Sequence, residues 1–111
     1  FQVHKELGPG LLESAYEYAL LKEFELRNII AQNQVQVKLF YKGHDTGKHY
    51  AIDILVENEI VIEIKCADVI HPVYTAQIIS YLKLSQKKLG FLVNFHVPLI
   101  KDGIKRFVND F

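Results

Sequence analysis
Polar and apolar positions along this chain fall into two periods, and the switches between them mark its elements. From Gln34 to Tyr41, Val35, Val37 and Leu39 alternate with Gln34, Gln36 and Lys38, which predicts a half-buried strand. Tyr50 to Ala67 consists of two arms rich in Ile and Val that meet at Glu57-Asn58-Glu59, which predicts a β-hairpin. Leu89 to Phe95 is an unbroken apolar run, the pattern of a strand buried on both faces. Helical spacing governs the remainder. Phe1 to Leu7, with Val3 and Leu7 one turn apart, reads as the end of a helix that Gly8-Pro9-Gly10 breaks. A second helix is predicted over Leu11 to Arg27, with Asn28 as its stop. Its buried stripe comprises Leu12, Ala15, Ala19 and Phe24, joined by Leu11, Tyr18 and Leu21. A third spans Val73 to Gln86, and Pro98 to Phe111 closes the chain as a short amphipathic helix carrying Lys101, Lys105 and Arg106. Lys42 to Lys48, containing Gly43, Asp45 and Gly47, reads as a turn, and Asp68 to Pro72 as a loop.

The element order is therefore α-β-β-β-α-β-α. A strand–helix–strand crossover inside a meandering sheet predicts an α/β fold in which a mixed four-stranded sheet is flanked by helices. With 111 residues and no internal repeat or linker, residues 1–111 form a single domain.

Three charges interrupt the apolar hairpin: Asp53 in the first arm, Glu63 and Lys65 in the second. Charges inside apolar strands are costly unless they are paired or bind a metal. If Glu57 to Glu59 form a three-residue loop, Val56 pairs with Ile60, Ile54 with Ile62 and Asp53 with Glu63. Strict alternation then places Tyr50, Ile52, Ile54 and Val56 on one face, and collects Asp53, Glu63 and Lys65 on the other. A loop one residue shorter would bury Asp53 among isoleucines. Two opposed carboxylates repel, and one would take up a proton unless a cation lies between them. Oxygen ligands suit Mg²⁺ or Mn²⁺. On the strands alone, a structural salt bridge from Lys65 to one carboxylate stands equal to this metal reading.

Composition narrows the field. Half the residues are hydrophobic, with seven Phe and six Tyr, so the chain is globular. No apolar run approaches the roughly 20 residues of a membrane span, and no signal-peptide pattern opens the chain, so a cytoplasmic protein without a membrane partner is expected. Phe1 opens a chain without Met, so the native start is expected upstream. Cys66, the one cysteine, excludes an internal disulfide and reads as a buried, inert thiol. The five histidines show no metal-ligand spacing and read as mostly surface residues. Thirteen basic and thirteen acidic residues cancel, so any phosphate-binding surface has to be local.

Asp53, Glu63-Ile64-Lys65 and the helix after them resemble the PD-(D/E)XK nuclease superfamily. Gln77-Ile78-Ile79-Ser80-Tyr81 is similar to the Q-x-x-x-Y motif of its RecB-like branch. Gly10-Leu11-Leu12-Glu13-Ser14-Ala15-Tyr16 matches the signature of the GxxExxY family, and Asn94 to Arg106 is similar to it as well. The likeness covers nearly the whole chain, although Tyr74-Thr75 stands where many relatives carry His-Glu. The resemblance implies a restriction-endonuclease-like core and a Mg²⁺- or Mn²⁺-dependent nuclease. Asp53, Glu63, Glu13 and the main-chain carbonyl of Ile64 would hold the metal, and Lys65 would position the attacking water. Gln77 would complete the catalytic set, with Tyr81 and Tyr16 as auxiliary residues. Nucleic acid, DNA ahead of RNA, and a second copy of the chain are the implied partners. The competing expectation is a catalytically silent module that keeps the fold for nucleic-acid binding or assembly.

Overall fold
The computed structural model describes residues 1–109. Helices α1 (Gln2–Leu7) and α2 (Glu13–Leu26) lead into strands β1 (Ala31–Tyr41), β2 (His44–Val56) and β3 (Ile60–Lys65). Helix α3 (Pro72–Ser85), strand β4 (Leu89–Asn94), a 3₁₀ turn (Ile100–Gly103) and strand β5 (Ile104–Val108) follow. The strands form one mixed sheet in the order β1-β2-β3-β4-β5, antiparallel except for the β3–β4 pair that the α3 crossover makes parallel. This is the expected α/β architecture with one strand more than expected.

The extra strand replaces the final helix predicted over Pro98 to Phe111, whose last two residues lie outside the described residues. Ile104 to Val108 pairs along β4, and its apolar residues serve both faces. Ile104 packs on the core beneath α1 and α2, and Phe107 on the core beneath α3. Residues three apart on a strand point opposite ways, so this spacing satisfies a strand as well as a helix. The exposed Lys105 and Arg106 then guard a sheet edge.

Segment 42–48 is also corrected, since β2 already begins at His44. Lys42 and Gly43 both take positive φ, 50° and 80°, as a two-residue hairpin turn of matching twist requires. The turn chemistry of Asp45, Thr46 and Gly47 is spent on a bulge instead. The register slips between Lys38 and Phe40, Gly47 N–H donates to Asp45 Oδ1 at 2.9 Å, and the Thr46 hydroxyl donates to the Leu39 carbonyl at 2.7 Å. At the second hairpin the three-residue loop holds, with Val56 opposite Ile60 and Ile54 opposite Ile62.

Two cores lie on either side of the sheet. Tyr16, Ile54, Val56, Ile62, Ile64 and Phe95 pack under α1 and α2, while Ile52, Leu55, Val61, Ile78, Leu82 and Leu92 pack under α3. Each fully buried aliphatic side chain contributes about 1.5–3 kcal/mol relative to exposure. α2 buries Tyr16, rests Ala19, Leu20 and Phe24 on the core and leaves Tyr18 exposed, while Leu11 and Leu12, also exposed, precede the helix rather than opening it. A helix laid on one sheet face covers only a narrow stripe, so the broad stripe read from the sequence is not all buried. His4 is buried too, its Nε2 2.8 Å from the Val97 carbonyl, which ties α1 to the segment after β4.

Candidate active site
Strict alternation fails at one point in β2, and the chemistry gathers there. Ile54 and Val56 belong to the core under α2, yet Ile52 belongs to the core under α3. In β1, Ala31 goes with the first core, and Val35 and Val37 with the second. The ribbon therefore exchanges faces between these positions. Gln34 and Asp53 sit opposite each other at the exchange and are missing from a ladder that joins Asn33 to Ile54 and Val35 to Ile52. Gln34 takes φ 50°, a left-handed conformation uncommon for a residue with a side chain. The face shared by Tyr50, Ile52, Ile54 and Val56 in the alternating reading is thus divided between the two cores.

The exchange leaves Asp53 at a seam. The β2–β3 ladder stops at Ile54–Ile62. Beyond it, Ile64 N–H donates to Asp53 Oδ2 at 2.8 Å, and Asp53 N–H donates to Glu63 Oε1 at 3.3 Å. Asp53 Oδ1 accepts from Gln34 Nε2 at 3.3 Å, and the same amide donates to Glu17 Oε1 at 2.6 Å. Since a strand residue directs its N–H and C=O toward the same neighbouring strand, the Ile64 carbonyl faces this gap as well.

Glu63 is only 6% exposed. Burial first, then the neighbouring Asp53 charge, pushes its carboxyl from 4.5 up to about 9. Lys65 draws it down the least of the causes at work, and its ammonium lies over the Tyr74 ring, 4.6 Å from the centroid. Among the described residues Lys65 forms no ion pair with either carboxylate, so the salt-bridge alternative is not the arrangement found.

Helix α2 supplies a second acidic wall. Glu13, Ser14 and Glu17 line a small cleft with Gln34, Asp53 and Ile64. Glu13 also acts on the half-buried Cys66, whose thiol is raised by burial first and by the Glu13 charge second. From the other side of the sheet, Tyr81 stands within electrostatic reach of Glu63 and Asp53, and burial followed by those charges raises its hydroxyl above the ordinary value. Gln77, one turn before Tyr81, lines an adjoining groove with Tyr50 and Tyr81, is exposed, and bonds to neither carboxylate. Tyr16 is elsewhere. Its ring is fully buried, stacked 4.2 Å from Phe95, and its hydroxyl donates to the Gly8 carbonyl and accepts from Leu11 N–H. It braces the loop before α2.

Sequence reasoning passed over Gln34 and Glu17. Glu17 was within reach, being four residues from Glu13 and so on the same helical face. Nothing in the sequence marks Gln34.

Two carboxylates and one main-chain carbonyl are all oxygen donors, a set that suits Mg²⁺ or Mn²⁺ with water completing the shell. Among the described residues no group of three or more His, Cys, Asp or Glu side chains is arranged to hold a metal ion, and Glu13 lines the cleft beside Asp53 without forming such a group. No described helix is long and apolar enough to cross a membrane.

In three dimensions the chain is similar to an alkaline exonuclease from Laribacter hongkongensis. The TM-score is 0.57 at 18% identity, over 84% of this chain and 54% of that one. It is also similar to a protein designated SSO0001, with a TM-score of 0.55 at 22% identity, over 87% of this chain and 49% of the other. The chain thus spans about half the length of each, and at these identities the likeness is one of fold. No curated protein matches it in sequence. Residues 1–107 match the family model of the PD-(D/E)XK nuclease superfamily, and the chain belongs to that superfamily.

Proposed function
We propose that this domain hydrolyses phosphodiester bonds in nucleic acid, DNA ahead of RNA, with Mg²⁺ or Mn²⁺ held by Asp53, Glu63 and the Ile64 carbonyl. One observation carries the reading. A buried carboxyl stands against a second carboxylate with no cationic side chain among the described residues paired to either, so Glu63 keeps a proton up to about 9. Such a pair is unfavourable as a structural device and suited to receiving a divalent cation. The spacing of Gly10, Glu13 and Tyr16 supports a reading within the GxxExxY family, and that of Gln77 and Tyr81 a reading within the RecB-like branch.

When bound, the metal would lower the pKa of a coordinated water and offset charge developing on the phosphate. The chain's own residues would do the rest. Asp53, fixed by Ile64 N–H and Gln34, presents its carboxylate at the seam in one orientation. Lys65, steadied over Tyr74, holds a water beside the carboxylates as a compact donor. Glu13 and Glu17 order water along the α2 wall, and Gln77 and Tyr81 hold the substrate on the α3 side.

The test is cleavage of single- and double-stranded DNA and RNA in Mg²⁺, Mn²⁺ or EDTA, with Glu63→Gln as control. Metal-dependent cleavage that Glu63→Gln abolishes is expected. A folded parent protein that cleaves none of these substrates in either metal would leave the silent-module reading in its place.

A further inference from the structure
The β1–β2 ribbon runs on past the core. Every residue from Phe40 to Ala51 is exposed, including Phe40, Tyr41 and Tyr50 at 55%, 66% and 40%. Between positions 38 and 51 the ribbon carries Lys38, Lys42, Lys48, His44 and His49 against a single acid, Asp45. That acid already lies 4.0 Å from Lys38, so the arm presents excess positive charge on a chain of zero net charge. Exposed aromatics interleaved with cations contact nucleic acid through base faces and phosphates together.

The inner side of this arm and α3 enclose an open groove of about 500 Å³, lined by Leu39, Tyr50, Gln77, Ser80, Tyr81 and Leu84. The Tyr50 and Tyr81 rings meet there at 5.5 Å and 42°, and Lys83 stands at the margin. Tyr50 precedes Asp53 by three residues, about 10 Å along the strand, so the groove opens beside the carboxylates. An apolar floor, a half-exposed ring and the Lys83 ammonium at the margin fit a planar base attached to a phosphate. In a duplex the faces of paired bases are covered by stacking, so only an unpaired base offers a face to Tyr50.

We propose that this groove receives an unpaired nucleobase of a single-stranded nucleic acid, stacked on Tyr50, with Lys83 at its margin taking a flanking phosphate. This names the substrate class of the reaction proposed above and rests on that reading only for what happens next to the base.

The experiment is a fluorescence-anisotropy titration in EDTA, where no cleavage competes. The probes are labelled oligodeoxyuridylate, oligouridylate, an abasic deoxyribose-phosphate chain of equal length, and a duplex. Both single strands should bind about tenfold or more tighter than the abasic chain, the scale of base–aromatic stacking. Tyr50→Ala should erase that difference, and Tyr50→Phe should keep it. A preference between the deoxy and ribo strands, which carry the same base, supports the groove and reports the sugar it favours. Equal affinity for abasic and base-bearing chains, duplex binding as tight as single-strand binding, or an undiminished difference in Tyr50→Ala would each overturn the proposal. Base-dependent binding without cleavage on adding Mg²⁺ removes the nuclease reading alone, and cleavage without base-dependent binding removes the groove alone. Melting curves of both Tyr50 variants guard against misfolding, which an exposed position does not favour.

Discussion
Ile64 gives its N–H to Oδ2 of Asp53 at 2.8 Å, at the point where the main-chain ladder between their strands has stopped. A side-chain carboxylate has taken the place of a backbone acceptor, so the same oxygens that would hold a cation also hold the sheet's seam. Asp53→Ala would leave a half-buried N–H unpaired, which costs about 1–3 kcal/mol. Asp53→Asn can still offer one oxygen to Ile64 and is the better probe of charge.

Divalent metal should raise the melting temperature by binding the folded state. At about ten times Kd the linkage is about 1.4 kcal/mol, on the order of 5–10 °C for a domain of this size. Asp53→Asn should melt higher than the parent in EDTA and lose the shift. Scanning calorimetry at graded Mg²⁺ and Mn²⁺ decides it, and an unchanged parent melting temperature would count against the ion site.

The proton on Glu63 makes a signed prediction. Its carboxyl titrates near 9 in the folded protein against an ordinary 4.5, so the metal-free fold holds a proton that the unfolded chain has released. Stability in EDTA should therefore fall as pH rises from 4.5 to about 9 and level off beyond. One group can contribute a slope of at most about 1.4 kcal/mol per pH unit. Glu63→Gln can still accept from Asp53 N–H without a charge, so it should flatten that slope and outlast the parent increasingly toward alkaline pH. Urea unfolding across the range measures both. Metal binding competes with this proton, so the metal-induced rise in melting temperature should be larger at the alkaline end.

How much of this was open to a reader of the sequence alone depended on whether a residue's neighbours constrained it. The hairpin register was legible because a slip would have buried Asp53 among isoleucines, an error too costly to be native. The face exchange was not legible, because Gln34 has no preference for the left-handed conformation it takes, as a Gly or Asn would have. Ile104 and Phe107 fitted a helix and a strand equally well, and only the open edge of β4 decided between them. The roles of Asp53, Glu63 and Lys65 rested on motif likeness, and the geometry adds that their strands part where they meet.

Lys65 separates positioning from charge. If it holds the water, Lys65→Ala and Lys65→Arg should both lose at least about a hundredfold in kcat, on the scale of positioned proton-transfer groups, while the metal-induced melting shift remains. Arginine keeps the charge but presents a longer planar fork. Tyr74→Leu, which removes the ring under the ammonium, should lower kcat less than Lys65→Ala does, and Tyr74→Phe should restore it. Comparable kcat in Lys65→Arg and the parent would take Lys65 out of the catalytic set.

Tyr16→Phe tests the opposite kind of residue. The stacking on Phe95 survives, but the Gly8 carbonyl and the Leu11 N–H lose their shared hydroxyl. Stability should drop by about 1–2 kcal/mol, with kcat for the folded enzyme unchanged. A large loss of cleavage at full stability would return Tyr16 to the site.

The face exchange at Gln34 and Asp53 has a consequence for how such a domain can diversify. On one side of that pair, residues 54–56 and 60–64 are held by the cores in a register that tolerates no slip. On the other, the projecting part of the ribbon answers only to its own hairpin and to one helix. Residues added in pairs to the arm would preserve its parity and leave the carboxylates where they stand. The part that would read a polymer and the part that would cut it are thus inherited in one continuous strand yet free to vary apart, like a tool with an exchangeable handle.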